Sequence, residues 1–470
     1  MAKKFYLTSA IPYVNSFPHV GHALEFVQTD AIARYHRLIG DDVRTLCGGD
    51  ENALKNVQAA EKAGATAQEF VDKNNNLFEE LTIKLNARYD VWQKGSDQIH
   101  HFPSSQKLWE LCAQNDDIYQ KSYEGLYCVG CEIFYEPGEL NDHGECFEHP
   151  GKPLQKVKEM NWFFRLSKYE KQIKEKIQRG QLCIVPEKRK NEIIAFLERG
   201  LNDISISRSN ERAKNWGVPV PGDPTQRIYV WFDALNIYQS GIGFGWDETT
   251  YEKWWPADVH VIGKGITRFH AVYWPAFLLS AGLELPKKIF VHEYFTVNGQ
   301  KMSKTLGNVI DPMMLIEKYG VDPLRYYFLA KFSPFNDGDF SEEEFKKTYN
   351  ADLANGLGNL VSRVAKLAEG QSYRVSRIAY HDQALEEYRF NDALAAVWEG
   401  VKAADKYLDE NEPWKLTGNS LKNVLEKSIS QIVEIATLLQ PFLPDTAEKI
   451  LAQFSNKSIK PQPPLFSRII

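Results

Sequence analysis

A strand–loop–helix–strand pattern that begins at the N-terminus, breaks off and resumes after residue 223 is the strongest constraint on the fold. Lys4–Ala10 is a β-type run, followed by a Pro/Asn/Ser loop over Pro12–Pro18. Ala23, Val27, Ala31, Tyr35 and Leu38 then recur near helical spacing, and Gly40 stops the helix. Val43–Cys47 is a second apolar run, ending at Gly48-Gly49-Asp50. A strand, a crossover helix and a second strand form the unit of a parallel nucleotide-binding sheet. Thr66 and Glu69 make a capping-box pattern that opens another amphipathic helix through Leu85. From about Gln114 the periodicity fades, and Tyr119–Pro153 is rich in Cys, Gly, His and Glu. Strand and helix signals return over Arg227–Phe232, Ala234–Tyr238, Asp258–Ile262, Ile266–Leu279 and Lys288–Val297. The expected fold is therefore α/β, with a parallel sheet split by an insertion of roughly a hundred residues. Asn298-Gly299 is a hairpin signal leading into Lys301. From Asn350 onward the pattern is nearly all helical.

Composition narrows the class of protein. At roughly 100–200 residues per domain, 470 residues suggest about three domains. The net charge of −6 excludes a uniformly basic nucleic-acid binder. It does not exclude a local basic surface, because Lys152–Lys190 carries twelve Lys/Arg against four Glu. The longest apolar stretch, Ala271–Leu283, contains a proline and is too short to span a bilayer. The N-terminus has no signal-peptide core, so no membrane partner is expected. Six cysteines in so long a chain point to thiol or metal chemistry in a reducing, cytoplasmic setting. Cys47, Cys112 and Cys183 read as buried thiols.

Four local patterns carry chemistry. Pro18-His19-Val20-Gly21-His22 lies between the first strand and first helix. Its free N–H groups and dipole favour a polyphosphate, two imidazoles can add donors, and Gly21 lets a ligand approach closely. Taken alone, the same residues serve equally as a helix cap. Lys301-Met302-Ser303-Lys304-Thr305 offers two ammonium groups in a loop, suited to a departing pyrophosphate and also to simple solvation. Cys128-x2-Cys131 and Cys146-x2-His149 have the spacing of a closed, structural zinc site. Finally, Leu353, Leu357, Leu360, Val364 and Leu367 form one helical stripe, with Asn355, Asn359 and Arg363 centred roughly 120° away. That second stripe suits the edges of unstacked bases, or solvent.

Together, H-x-G-H and K-M-S-K-T resemble the paired signatures of class I aminoacyl-tRNA synthetases. Ala10–Asn15, Tyr229–Leu235, Val261–Lys264, Arg268–His270, Leu201–Pro221, Ala354–Val364 and Glu412-Pro413-Trp414 resemble the methionine-specific family, methionyl-tRNA synthetase, over essentially the whole chain. The resemblance implies a split Rossmann-type catalytic domain (1–115 and 226–300) interrupted by a zinc-knuckle connective insertion (116–225). A lysine-loop connector (301–349) and an all-α anticodon-binding helical bundle (350–470) follow.

By resemblance, ATP with Mg²⁺ is held by Asn15, His19, Gly21, His22, Glu25, Gly263, Lys301, Ser303 and Lys304. Of these, His19, His22, Lys301 and Lys304 act in catalysis. Ile11, Tyr13, Trp231, Ala234, Leu235, Tyr238, Ile266, His270 and Trp274 line or back a methionine pocket, and Asp50 takes the α-ammonium. Aromatic and aliphatic walls suit a thioether, although core packing serves Trp274 equally well. Asn355, Asn359, Arg363 and Trp414 match positions that read the CAU anticodon. Cys128, Cys131, Cys146 and His149 hold one structural Zn²⁺.

The implied partners are ATP, L-methionine and initiator and elongator tRNA(Met). Pro464–Arg468 resembles the close of the last module, which implies a monomer. Isoleucine, valine or leucine enzymes carry a larger editing domain, and a cysteine enzyme an open zinc site. A non-catalytic RNA-binding relative would not need both signatures. Three positions depart from the family pattern. Asn52 stands where many relatives have His, Gly265 where Asp is usual, and Glu293 where Gly is usual; Glu51 and Glu293 are candidates to compensate.

Overall fold

The computed structural model describes residues 2–128, 133–135, 140–146, 151–300, 302, 308–372, 380–455 and 458–469. Its centre is a six-stranded parallel sheet. The strands run in the order Val91–Lys94, Asp42–Gly49, Lys4–Ser9, Val259–Gly263, Lys288–His292, Cys183–Val185. Lys4–Ser9 reads almost wholly buried, as expected of a strand covered on both faces. Its neighbours are Asp42–Gly49 on one side (Leu7 opposite Thr45) and Val259–Gly263 on the other (Leu7 opposite Val259). The two halves of the sequence pattern therefore meet in one sheet. The chain winds outward in opposite directions from this pair of strands, so their carboxyl ends form a topological switch point, where such sheets bind ligands.

The first helix, Val20–Leu38, lies behind the switch point, and Thr66 and Glu69 form the reciprocal cap of Ala67–Lys84. The segment 116–225 is not wholly separate from the sheet. Ile118–Cys128 and Gln155–Phe164 form a long antiparallel ladder, yet Cys183–Val185 returns as the sheet's edge strand against Lys288–His292. Three residues are too few to show a period, so this strand left little trace in the sequence pattern. Cys183 is only half-buried there, whereas Cys47 and Cys112 are fully buried and burial pushes both thiols up to about 12.

Two further differences concern helices. Val230–Leu235 is helical rather than an extension of a strand, and Ile266–Leu279 is broken into a π-turn (Phe269–Tyr273) and an α-helix (Trp274–Ser280). Tyr349–Gly358 is also wound as a π-helix, so the 100°-per-residue geometry holds only from Asn359 onward. The apolar stripe Leu353, Leu357, Leu360 and Val364 is nevertheless buried. It packs in one continuous core with Phe390–Asn411, Gly418–Leu439 and the first half of the sheet. Arg325 ties these parts together: fully buried, it pairs with Asp30 at 2.7 Å and donates to the carbonyls of Leu85, Pro441 and Phe442.

Candidate active site

A cavity of about 400 Å³ opens at the switch point. Its walls come from the loop after the first strand (Ile11, Tyr13), the first helix (His19, Gly21, His22, Glu25), Asp50, and Trp231, Ala234, Leu235 and Tyr238. Gly263, Ile266, His270, His292, Glu293, Tyr294 and Met302 close the other side. The structure thus brings together most sequence-predicted ligand residues, which come from segments up to about 260 positions apart. Two of the expected residues lie outside the lining. Trp274 does not line the cavity; it is fully buried in the core, edge-on to Trp255 at 6.1 Å. Asn15 stands half-buried in the loop, outside the lining set. Lys301, Ser303 and Lys304 lie outside the described residues. Their neighbour Met302 reaches the cavity, its methyl 3.6 Å from where a Cβ on Gly21 would sit.

The two histidines do cap the helix, and the capping fixes their chemistry. His19 Nδ1 accepts from the Gly21 N–H at 3.0 Å, and His22 Nδ1 accepts from the His19 N–H at 3.1 Å. With Nδ1 occupied as an acceptor, each neutral ring carries its proton on Nε2, as a donor. The cap and the phosphate-binding readings are therefore one arrangement. Any Cβ on residue 21 would come within 2.8 Å of the His19 ring, which is why glycine stands there.

The apolar end is built from rings. Trp231 stacks on Phe269 (centroids 3.6 Å apart, 4° between planes) and meets Tyr13 edge-on at 6.2 Å. Tyr238 Oη and His270 Nε2 are 2.9 Å apart, and His270 Nδ1 lies 3.0 Å from the Ile266 carbonyl. Nδ1 must donate to that carbonyl, so Nε2 accepts the tyrosine proton. Burial depresses the His270 pKa to about 4, so the ring is neutral at pH 7. Asp50, nearly inaccessible, is pinned by its backbone to Pro12 (N–H to O, 2.9 Å), and its own carbonyl accepts from Asn56 at 2.9 Å.

A network that sequence reasoning missed supports this wall. Asp233 accepts from Asn52 (2.6 Å), His101 (2.7 Å) and Ser105 (3.0 Å), all buried, and His101 reaches Ser240 at 2.8 Å. It joins the Asp50–Asn52 turn to the helix carrying Trp231 and Ala234. Asn52 thus donates to Asp233 from a position where many relatives have histidine. Glu51 is turned away, bound by the Ser96 N–H and hydroxyl at 2.9 and 2.6 Å, and does not line the cavity. Glu293 does line it, ion-paired with Arg189 and with Lys264 at 2.9 Å.

On the helical half, Asn355 and Asn359 are exposed, and Arg363 lies 6.0 Å from the ring of half-exposed Trp414. Asn355 accepts from Arg468 at 2.7 Å, and Arg363 is paired with Asp405 at 2.6 Å and with Asp409. Cys128 and Cys146 are buried in one small cluster with Tyr135, while Cys131 and His149 lie outside the described residues. Among the described residues no group of three potential ligands surrounds a metal position, and no helix is long and apolar enough to cross a membrane.

A family model described as tRNA synthetases class I (M) matches residues 5–365, and an anticodon-binding domain of tRNA ligase matches residues 375–465. The chain is 40% identical to the methionine–tRNA ligase of Thermotoga maritima, over 96% of this chain and 75% of that protein. The chain belongs to the methionyl-tRNA synthetase family. The methionine–tRNA ligase of Brucella suis biovar 1 is likewise 40% identical, over 96% of this chain and 91% of its own. The fold superposes on a Mycobacterium tuberculosis methionyl-tRNA synthetase in complex with methionyl-adenylate with a TM-score of 0.92, at 36% identity over 99% of this chain and 100% of that one. Against the apo form of the M. tuberculosis enzyme the TM-score is 0.84, at 33% identity, covering 100% and 99% of the two chains.

Against this family background, Gly265 has a local explanation. Its N–H donates to Tyr294 Oη at 2.9 Å, and a Cβ at residue 265 would lie 2.4 Å from that oxygen. Tyr294 therefore occupies the space an aspartate would need.

Proposed function

We propose that this chain is a methionine–tRNA ligase whose adenylate-forming centre is the switch-point cavity. It activates L-methionine with ATP and transfers the methionyl group to the 2′-hydroxyl of the terminal adenosine of tRNA(Met). The observation that carries the reading is the junction, in one cavity, of a histidine-lined helix N-terminus with a carboxylate and an aromatic pocket. The aromatic and aliphatic wall takes the thioether, with the Tyr238–His270 pair as its weak polar partner. Asp50 holds the α-ammonium, which leaves the methionine carboxylate directed at the phosphate end. The carboxylate attacks the α-phosphorus in line, forming the acyl–phosphate bond as the bond to pyrophosphate breaks. His19 and His22 donate through Nε2 to phosphate oxygens, Lys301 and Lys304 meet the leaving pyrophosphate with Ser303 beside them, and Glu25 and Gly263 border the nucleoside. Mg²⁺, entering with ATP, supplies charge neutralisation. No protein nucleophile is required.

In the second step the 2′-hydroxyl attacks the adenylate carbonyl and AMP leaves. Asn355, Asn359, Arg363 and Trp414 read the anticodon by hydrogen bonds and stacking, in initiator and elongator tRNA(Met) alike. Cys128, Cys131, Cys146 and His149 hold a structural zinc. Two of these thiols already share one buried cluster, which fits a closed site that staples a weakly apolar insertion. The enzyme works as a cytoplasmic monomer, checked by light scattering.

The test is methionylation of purified tRNA(Met), read by separation of charged from uncharged tRNA. Charging should require methionine and fall steeply when the CAU anticodon is altered. Equal charging of an anticodon-altered tRNA would overturn the assignment of the helical face.

A further inference from the structure

Glu293 is a buried carboxylate in the cavity wall that neither step of the proposed reaction employs. It follows directly on Lys288–His292, at the carboxyl edge of the sheet, where its N–H donates to the Pro334 carbonyl at 2.8 Å. Two cations fix its side chain. Arg189, on the helix Glu187–Leu197 of the insertion, pairs with one oxygen, and Lys264 pairs with the other at 2.9 Å. Arg189 also meets Glu192 at 2.6 Å, and Lys264 meets Asp337 at 2.6 Å. Both cations are thus shared with acids outside the cavity lining. A carboxylate has about four lone-pair sites, so each oxygen of Glu293 keeps one for a donor inside the cavity.

The neighbouring stretch offers no such acceptor side chain. Gly263 and Gly265 flank Lys264, and a Cβ at either would strike Tyr294, 2.9 Å from its Cε1 and 2.4 Å from its Oη respectively. The carboxylate usual at 265 is therefore displaced here, while one stands at 293, where glycine is usual, tied to the same segment through Lys264. The other carboxylates of the described lining are Asp50, committed to the amino acid in the proposed reaction, and Glu25, paired with His292 at 2.8 Å.

ATP brings two kinds of hydroxyl or amino donor to this end, the vicinal ribose hydroxyls and the adenine amino group. Distance from the phosphates separates them. His292, the residue before Glu293, reaches Glu25, which lies three positions beyond His22 on the first helix, less than one turn of about 5.4 Å. The wall at 292–293 therefore stands close to the phosphate end, where the ribose lies, and the base lies farther out. Two carboxylate oxygens suit two adjacent hydroxyls, and a nucleotide lacking one would leave a buried acceptor unmet. We infer that Glu293 accepts from the ribose hydroxyls of ATP and makes the activation step specific for a ribonucleotide. The inference rests on the reading of ATP as the activating substrate.

The test is methionine-dependent nucleotide–pyrophosphate exchange with ATP, 2′-deoxy-ATP, 3′-deoxy-ATP and inosine triphosphate. The unaltered protein should favour ATP over at least one deoxy analogue by about 10- to 100-fold in kcat/KM, the range for a hydrogen bond to a charged group. In Glu293→Ala that preference should shrink to within about 3-fold, because kcat/KM falls for ATP and not for the deoxy analogue. The preference is a ratio, so partial misfolding cancels from it. Arg189→Gln, which loosens the ion pair but leaves the carboxylate, should keep most of the preference. Equal use of ATP and both deoxy analogues by the unaltered protein overturns the inference, as does a full preference retained in Glu293→Ala. Loss of the preference for ATP over inosine triphosphate in Glu293→Ala, with ribose discrimination intact, would assign Glu293 to the base and overturn it. Equal loss of ribose discrimination in Arg189→Gln would assign the effect to the ion pair and overturn it too. Absence of any methionine-dependent exchange with ATP in the unaltered protein would instead strike the proposed function itself.

Discussion

The cavity proposed to form the adenylate and the exposed helical face proposed to read the anticodon present their polar groups in opposite ways. In the cavity the polar groups are already committed. His19 and His22 are locked by backbone N–H groups, His270 sits between Ile266 and Tyr238, and Asp50 is held by its own backbone. On the helical face Arg363 is tied to Asp405 and Asp409, and Asn355 to Arg468, at sites open to solvent. A site whose polar groups are already oriented loses most of the value of any group removed. An exposed, ion-paired site must exchange existing partners for bases, so each residue contributes a smaller and salt-dependent net amount.

This contrast predicts a graded set of effects. The largest should come from the lysine loop. Lys304→Ala should lower ATP–pyrophosphate exchange by about 10²–10³-fold while the circular dichroism spectrum stays unchanged; near-normal exchange would remove that residue from catalysis.

Next is the acid sensitivity of the cavity wall. His270 has an ordinary pKa near 6.5 when unfolded and about 4 when folded. The unfolded chain therefore binds more protons between these values, and stability falls as pH drops from about 6.5 toward 4, by about 3 kcal/mol from this group. Above 6.5 the contribution is fully present. Thermal unfolding of His270→Gln should show a flatter profile across that window than the unaltered protein; parallel profiles would refute the assignment.

Smaller effects should come from the helical face. Arg363→Ala should leave exchange untouched and reduce the kcat/KM of tRNA charging by about 10- to 100-fold, the range of 1–3 kcal/mol for a base contact. A matching loss in exchange would show that the two regions are coupled. Trp414→Ala should reduce charging by about 10-fold, in line with one stacked base, and an unchanged kcat/KM would exclude stacking there.

Part of the cavity was legible in the sequence at the ends of regular elements, whereas its aromatic pocket was implied by resemblance to the family rather than by local pattern. Asp50 closes an apolar run, His19 opens a periodic helix, and Gly263 ends another strand. What stayed hidden lacks local periodicity. Cys183–Val185 is too short to announce itself as the sheet's edge, and the Asp233–His101–Asn52 network joins residues up to 181 positions apart. Trp274 shows the converse limit, because an aromatic residue in an apolar helix looks the same whether it faces a ligand or the core. The reason for Gly265 is equally non-local, because Tyr294 Oη, 29 positions on, occupies the space its side chain would need.

The central claim, that the switch-point cavity activates methionine, is tested most directly by ATP–pyrophosphate exchange with the purified protein across methionine, isoleucine, valine, leucine and cysteine. Exchange stimulated by methionine alone is the expected result. Exchange driven better by any of the other four, or by none of the five, would contradict it.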